Sequence, residues 1–310
     1  MPKNKKPILV TGAHRTGTTW VGKMLAASDE AAYISEPLNV LHRPGVMRAP
    51  VPHWYQYIHT HNQQDYEPAF REMLQLRYHP WLEIKSLRST RDLLRMLRDW
   101  RIFYAGRKHR QCPLLKDPFA VFSIPWFNQT LGCQVVVTVR HPAAFASSLK
   151  RLNWPFDFTH LLSQPQLMQD WLEPYRPQMQ ALVEQPQDII GQASLLWSMV
   201  YDVVEAYRQQ VPDLLVVRHE DLSIDPIGGF MQLYDRLGLH FTQDARELIM
   251  GSSSSTNPKE LSSKKVHAVQ LDSRANINNW KHRLQKEEID RIREFTARIA
   301  RFYYPEESWE

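Results

Sequence analysis

Three observations in this 310-residue chain predict an α/β protein with a central, mostly parallel sheet flanked by helices in three layers. First, the apolar runs at residues 8–11, 133–139 and 214–218 are continuous rather than alternating, as in strands covered on both faces. Second, the first two runs lead directly into helical patterns, as the strands of parallel sheets do. Third, Gly12-Ala13-His14-Arg15-Thr16-Gly17 follows the first run and opens a helix. Such a loop gathers backbone N–H groups and a helix N-terminus around an anion, so the fold is expected to be P-loop-like.

The elements follow in chain order. The strand at 8–11 feeds a helix running through Leu25. An aromatic-rich insertion at about 42–110 includes His53, Trp54, Tyr55, Tyr57, His59 and His61, and a short strand is expected at 114–116, between Pro113 and Pro118. The strand at 133–139 delivers Arg140 to its carboxyl end, where ligands of open α/β sheets bind. Eight residues later, about two turns into the next helix, Ser148 presents a hydroxyl. A second insertion, about 151–190, carries Trp154-Pro155-Phe156 and, with the first, is expected to form an acceptor pocket. Ser- and Lys-rich residues within about 251–275 read as a mobile lid. Residues 286–302 form an amphipathic, structural helix with Ile289, Ile292, Phe295, Ile299 and Phe302 on one face. The whole, 1–310, reads as one domain.

Composition narrows the function. A hydrophobic fraction of 43% and ten tryptophans indicate a globular chain. The net charge of +5 suits an anionic ligand but lacks the long basic run of a nucleic-acid arm, so no nucleic-acid partner is expected. Cys112 and Cys133 have no metal-type spacing and cannot frame a disulfide scaffold, and no signal segment or membrane span is visible; a cytoplasmic setting is expected. The histidines have no ligand spacing, and no metal is expected. Oligomeric state is not readable.

The loop nearly spells the phosphate-binding pattern G-x-x-x-x-G-K-[ST], with Gly12, Gly17 and Thr19 in place. Thr18 occupies the lysine slot, and the cation sits three residues earlier at Arg15. The strand at 133–139 ends in Arg140, where a P-loop ATPase would more often place an aspartate for magnesium. Both departures point to a donor other than magnesium-bound ATP. An arginine with a nearby serine hydroxyl suits a terminal phosphate.

These segments resemble the two nucleotide motifs of the PAPS-dependent sulfotransferases, PAPS being 3′-phosphoadenosine-5′-phosphosulfate. The resemblance runs from residue 8 to about 304. It implies that Arg15, Thr16, Gly17, Thr18, Thr19 and Trp20 hold the donor's 5′ side, with Thr18 and Thr19 on the 5′-phosphate and Trp20 on the adenine. It also implies that Arg140 and Ser148 bind the 3′-phosphate. The stretch from Ser273 to Lys281 resembles the family's late nucleotide-covering segment, which adds Arg274 and Lys281. Leu115-Lys116-Asp117-Pro118-Phe119 is similar to the tyrosylprotein sulfotransferases and many bacterial members. Those take their base from a glutamate after the first helix rather than from the histidine that cytosolic small-molecule members carry at the position of Pro118. Ser35-Glu36-Pro37 matches that element, which implies Glu36 as general base, its proton affinity raised beside a bound anion. Lys116 and Arg15 then stabilise the transferring group and leaving oxygen, and Asp117 orients one of them. The expected reaction is metal-independent sulfonate transfer to a small-molecule, saccharide or lipid-like hydroxyl, leaving 3′,5′-adenosine bisphosphate. The alternatives are a degenerate P-loop small-molecule kinase and a catalytically silent nucleotide-binding module.

Overall fold

The computed structural model describes residues 5–41, 43–260 and 270–310. Among these, β1 (Ile8–Gly12), β2 (Ala31–Ser35), β3 (Cys112–Lys116), β4 (Gln134–Val139) and β5 (Leu215–Arg218) form one sheet in the order β2-β3-β1-β4-β5. Every pairing is parallel, with Ile8 opposite both Leu114 and Gln134. The helices that bear on the site are, in chain order, α1 (Thr18–Leu25), α2 (Thr90–Lys108), α3 (Pro142–Leu152), α4 (Ile189–Gln210), α5 (His219–Ile224), α6 (Pro226–Leu237), α7 (Gln243–Ser253) and α8 (Lys286–Ala300).

Alternate strand residues enter two separate cores, which is why the strands read as unbroken apolar runs. Ile8, Val10, Leu114 and Val136 pack with Met24, Phe230 and Ile249, from α1, α6 and α7. Leu9, Leu115, Val135 and Val137 pack with Phe145, Trp197 and Ile299, from α3, α4 and α8. The result is three layers. Because all strands run one way, the loops after β1, β2, β3 and β4 meet at a single edge of the sheet.

Four expectations need adjustment. Strand β2 was not anticipated; it is short, half alanine-like in character (Ala31-Ala32-Tyr33-Ile34-Ser35), and its place at the edge comes from pairing with β3. The first insertion is largely helical: α2 lies on β2 through Met96, Asp99, Phe103 and Gly106, and a Cβ at Gly106 would come 2.8 Å from Ala32. In α8 the buried face is Ile292, Thr296, Ile299 and Ala300, whereas Phe295 and Phe302 are exposed, each under an arginine guanidinium (Arg291, Arg301). Of the segment expected as a lid, residues 261–269 lie outside the described residues. Its flanks are anchored, Ser252 accepting from the Trp20 indole N–H at 2.9 Å and from Leu271 N–H at 3.0 Å through its carbonyl. Among the described residues no helix is long and apolar enough to cross a membrane.

Candidate active site

The loop after β1 is bent through three left-handed residues, Gly12 (φ 136°), Arg15 (φ 70°) and Gly17 (φ 97°). Two of them must be glycine for space as well as angle. A Cβ at Gly12 would sit 2.3 Å from the Thr138 carbonyl, and one at Gly17 would sit 2.5 Å from the His219 ring. Buried hydrogen bonds fix the bend: the Thr16 hydroxyl donates to the Ala13 carbonyl (2.6 Å) and pairs with the Thr138 hydroxyl (2.8 Å). The Tyr201 hydroxyl donates to the Thr138 carbonyl (2.8 Å) and accepts the Ala13 N–H. Thr16 is therefore turned inward, whereas Thr18 and Thr19 open α1 and line a cavity. Among the described residues no side chain caps α1, so its first-turn N–H groups face whatever anion the loop receives.

The end of β2 supplies the second component. Glu36 is held at φ 51°, a conformation that a non-glycine residue adopts at a cost and that clusters at functional sites. Its N–H continues the sheet by donating to the Lys116 carbonyl (2.7 Å). The Lys116 ammonium, almost wholly buried with its stem against Gly22 of α1, donates to one Glu36 oxygen; the Asn39 amide donates to the other at 2.8 Å. Asp117 does not take the expected role of orienting Lys116 or Arg15. Its carboxylate accepts the Leu38 N–H (2.5 Å) and the Phe119 N–H (2.9 Å), pinning the loop that bears Glu36 to the turn after β3. Burial pushes its pKa up to about 7.

Arginines form the third component. Arg140, at the end of β4, donates to the Arg15 carbonyl (3.3 Å), and Arg15 Nε donates to the hydroxyl of Ser148 on α3 (3.3 Å). Burial, then Arg140 and Arg151, lower the Arg15 pKa to about 10. Arg140 is likewise lowered, first by burial and also by Arg283 and Arg151, with Glu220 opposing. Arg151 lies one turn beyond Ser148 and is lowered first by burial and then by Arg283, which is itself paired with Glu260 at 2.6 Å. The guanidiniums of Arg15, Arg140 and Arg151 are thus partly desolvated in one region, with the ion-paired Arg283 close enough to act on Arg140 and Arg151. Like charges gathered out of water are costly unless an anion joins them.

Arg151 and Arg283 were not foreseen. The signal for Arg151 was its i+3 spacing from Ser148; Arg283 comes from a distant segment and gave none. Arg274 and Lys281 are not brought to Arg140. The Arg274 guanidinium donates to the Ile224 carbonyl at the end of α5 (3.1 and 2.6 Å), and Lys281 lies over the Trp280 ring with its ammonium on the Glu310 carbonyl. Trp20 is buried, edge-on to Phe230 and tilted against His219.

Between the loop and the second insertion lies a cavity of about 540 Å³. Arg15, Thr18, Thr19, Glu36 and Asn39 form its polar wall; Trp54, Phe119, Trp154 and Phe156 form its aromatic one. His14 also faces it, with Nδ1 2.7 Å from the Tyr55 hydroxyl. Burial and then Arg15 lower its pKa to about 4, so the imidazole is neutral near pH 7. Among the described residues no three His, Cys, Asp or Glu side chains gather as metal ligands.

A five-stranded parallel sheet flanked by helices, its first strand turning through a glycine-bounded loop, is the P-loop-like class of α/β fold. More specifically, the chain belongs to the sulfotransferase-domain family, whose model matches residues 5–302. No curated protein sequence matches it. Similar solved structures include the sulfotransferase domain of the Synechococcus olefin synthase, with 16% identity, 98% of each chain covered and a TM-score of 0.46. A sulfotransferase from Mycobacterium avium has 15% identity, covering 97% of this chain and 78% of that one, with a TM-score of 0.48. A mouse sulfotransferase complexed with PAP has 11% identity, 96% and 85% coverage, and a TM-score of 0.45.

Proposed function

We propose that the chain is a single-domain, PAPS-dependent sulfotransferase that transfers the sulfonate to an acceptor hydroxyl without a metal, using Glu36 as base. The observation that carries this is the adjacency of two anion-receptive regions and one ion pair. The uncapped start of α1 suits the 5′ phosphosulfate, the arginine region beside Ser148 suits the 3′-phosphate, and the Lys116–Glu36 pair borders the cavity between loop and aromatic wall. The donor set is cationic and neutral, which fits a ligand with anionic groups at both ends.

When bound, PAPS supplies a sulfonate whose leaving oxygen gains charge as the bond to sulfur breaks. In this reading the Glu36 carboxylate, positioned by the Lys116 ammonium and the Asn39 amide, takes the acceptor's hydroxyl proton. The Lys116 ammonium and Arg15 guanidinium neutralise charge on the leaving oxygen from within a dry site. Thr18 and Thr19 bond the 5′-phosphate, Trp20 borders the adenine, and Arg140, Ser148, Arg151 and Arg283 receive the 3′-phosphate. Trp54, Phe119, Trp154 and Phe156 favour an acceptor with an apolar or ring face. The two cysteines are buried and free, in keeping with a reducing, cytoplasmic setting.

Thermal shift tests the reading: 3′,5′-adenosine bisphosphate against ADP, with and without magnesium. A ligand at 100 times its dissociation constant adds about 2.7 kcal/mol. Greater stabilisation by the bisphosphate than by ADP, with no dependence on magnesium, is expected. Stabilisation by ADP with magnesium and none by the bisphosphate would overturn the proposal in favour of a kinase.

A further inference from the structure

The face of α2 turned away from the sheet is unlike the rest of the surface. Leu93, Leu97, Trp100 and Tyr104 recur at spacings of four, three and four residues, share one side of the helix and are all exposed, Tyr104 to 60%. The Trp100 and Tyr104 rings stack at 5.6 Å. The preceding turn, Pro80–Ile84, adds Trp81, exposed to 77%, and Ile84. A soluble surface scatters such residues singly; here they are contiguous.

The charge around this stripe is equally unusual. Residues 85–110 contain nine lysines and arginines against two aspartates, a net of +7, which exceeds the +5 of the whole chain. All nine cations are exposed. Both aspartates are already engaged, Asp92 by Arg95 (2.5 Å) and Asp99 by Arg43 (2.5 Å) and Arg98 (2.9 Å). The excess positive charge therefore faces outward beside leucine, tryptophan and tyrosine.

We infer that this face docks on an anionic lipid surface. An apolar stripe with a Lys/Arg-rich flank and aromatic residues at its edge is the pattern of a helix lying in a membrane interface. A second copy of the chain is the wrong occupant, since two such faces would bring +7 against +7. The docking face is also mechanically joined to the cavity rim. Asp99 holds Arg43, which donates to the Ser35 carbonyl immediately before Glu36, and the Gly45 N–H is held by Glu83 of the Pro80–Ile84 turn at 2.7 Å. Leu41, exposed to 75%, lies between these ties and lines the cavity.

Vesicle flotation of the full chain tests this independently of the chemistry. The probes are equimolar phosphatidylglycerol and phosphatidylcholine vesicles, pure phosphatidylcholine vesicles, and soluble polyglutamate. Wild type should float with the anionic vesicles at low salt, lose binding at 0.5 M NaCl, and ignore pure phosphatidylcholine. The triple variant Arg91→Gln/Arg101→Gln/Lys108→Gln should lose about 100-fold in partitioning. Leu97→Gln/Trp100→Gln should lose about tenfold or more. All these positions are exposed, so both variants should melt with the wild type. Absence of wild-type flotation overturns the inference, as does equal flotation by the variants. Polyglutamate binding that the apolar variant leaves intact, without vesicle binding, reassigns the face to an acidic polypeptide. A dimer that either variant dissociates reassigns it to self-contact.

Discussion

Replacing Glu36 by glutamine removes one charge from a pair whose other member, Lys116, is 2% exposed, and three effects of different sign follow. On the reaction, loss of a general base costs about 10²–10⁴ in rate, roughly 3–5 kcal/mol of barrier. His14, neutral near pH 7 and on the same cavity, is the next candidate base if turnover survives the substitution. On stability, leaving a buried charge wholly unpaired costs about 3–5 kcal/mol. The glutamine oxygen still faces Lys116, and the position is about a fifth exposed, so a loss of about 1–2 kcal/mol is expected. For a chain of this length the unfolding entropy is roughly 0.65 kcal/mol per kelvin, which makes the fall in Tm about 2–3 °C. On binding the sign reverses: an ammonium relieved of its carboxylate is more available to an anion, and the bisphosphate should raise the Tm of E36Q by more than that of wild type. The assays are transfer from labelled donor to an acceptor identified by library screening, and melting with and without 3′,5′-adenosine bisphosphate. Turnover within tenfold of wild type would refute Glu36 as base. A smaller bisphosphate shift in E36Q than in wild type would refute the placement of Lys116 beside the donor.

The remaining predictions concern the cradle and its pH response. Arg140→Gln and Arg283→Gln should each weaken bisphosphate binding about 10- to 100-fold while leaving ADP binding, which lacks the 3′-phosphate, nearly unchanged, as isothermal titration would register. Gly17→Ala forces a methyl to 2.5 Å from the His219 ring at φ 97°, so a Tm lower by several degrees and loss of bisphosphate stabilisation are expected. Asp117 has a folded pKa of about 7 against a reference of 3.8, so its stabilising contribution is full below 3.8 and lost as pH rises through 7. Asp117→Asn cancels that loss; denaturant melts at pH 5 and pH 8 should show the variant gaining on wild type at the higher pH, by at most about 3 kcal/mol, since only the rise from pH 5 to 7 falls within that interval. A difference that stays constant with pH would mean Asp117 is ionised throughout. His14, with its pKa lowered to about 4, acts in the other sense: its contribution is present above 6.5 and is lost as pH falls toward 4.

What could be read from the sequence was local. Strands β1, β3 and β4 announce themselves because a strand buried on both faces must be apolar at consecutive positions, and the edge strand β5 because Leu215, Val216 and Val217 still pack, half-buried, against the two cores. Strand β2 has only Ala31-Ala32-Tyr33-Ile34 to show, and its assignment depends on β3 being beside it. Arg15, Thr18, Thr19, Glu36 and Lys116 all lie within a few residues of a strand's carboxyl end, so a parallel sheet brings them to one edge whatever the rest of the chain does. Arg283 reaches the same region from a segment that no strand end positions, and the pattern around Trp280 drew attention to Arg274 and Lys281 instead. Asp117 was expected to orient Lys116 or Arg15, but its actual partners, the N–H groups of Leu38 and Phe119, depend on two loop paths that spacing does not encode.

The costly features of the molecule are not scattered. Arg15 and Glu36 both hold left-handed backbone without being glycine, the buried Lys116 ammonium pairs with the Glu36 carboxylate, and burial, then neighbouring guanidiniums, lower the proton affinity of Arg15, Arg140 and Arg151. These features gather around the carboxyl edge of the sheet, and the loop after β1 that bears Arg15 rests on a hydrogen-bonded buried framework of Thr16, Thr138 and Tyr201. A frame that rigid holds the strain in place rather than letting it relax. An anion entering the edge therefore meets donors already aimed and cations already partly desolvated. The binding energy so released is greatest for a ligand with anionic groups at both ends, which is the reason to expect the bisphosphate, and not ADP, to raise the melting temperature most.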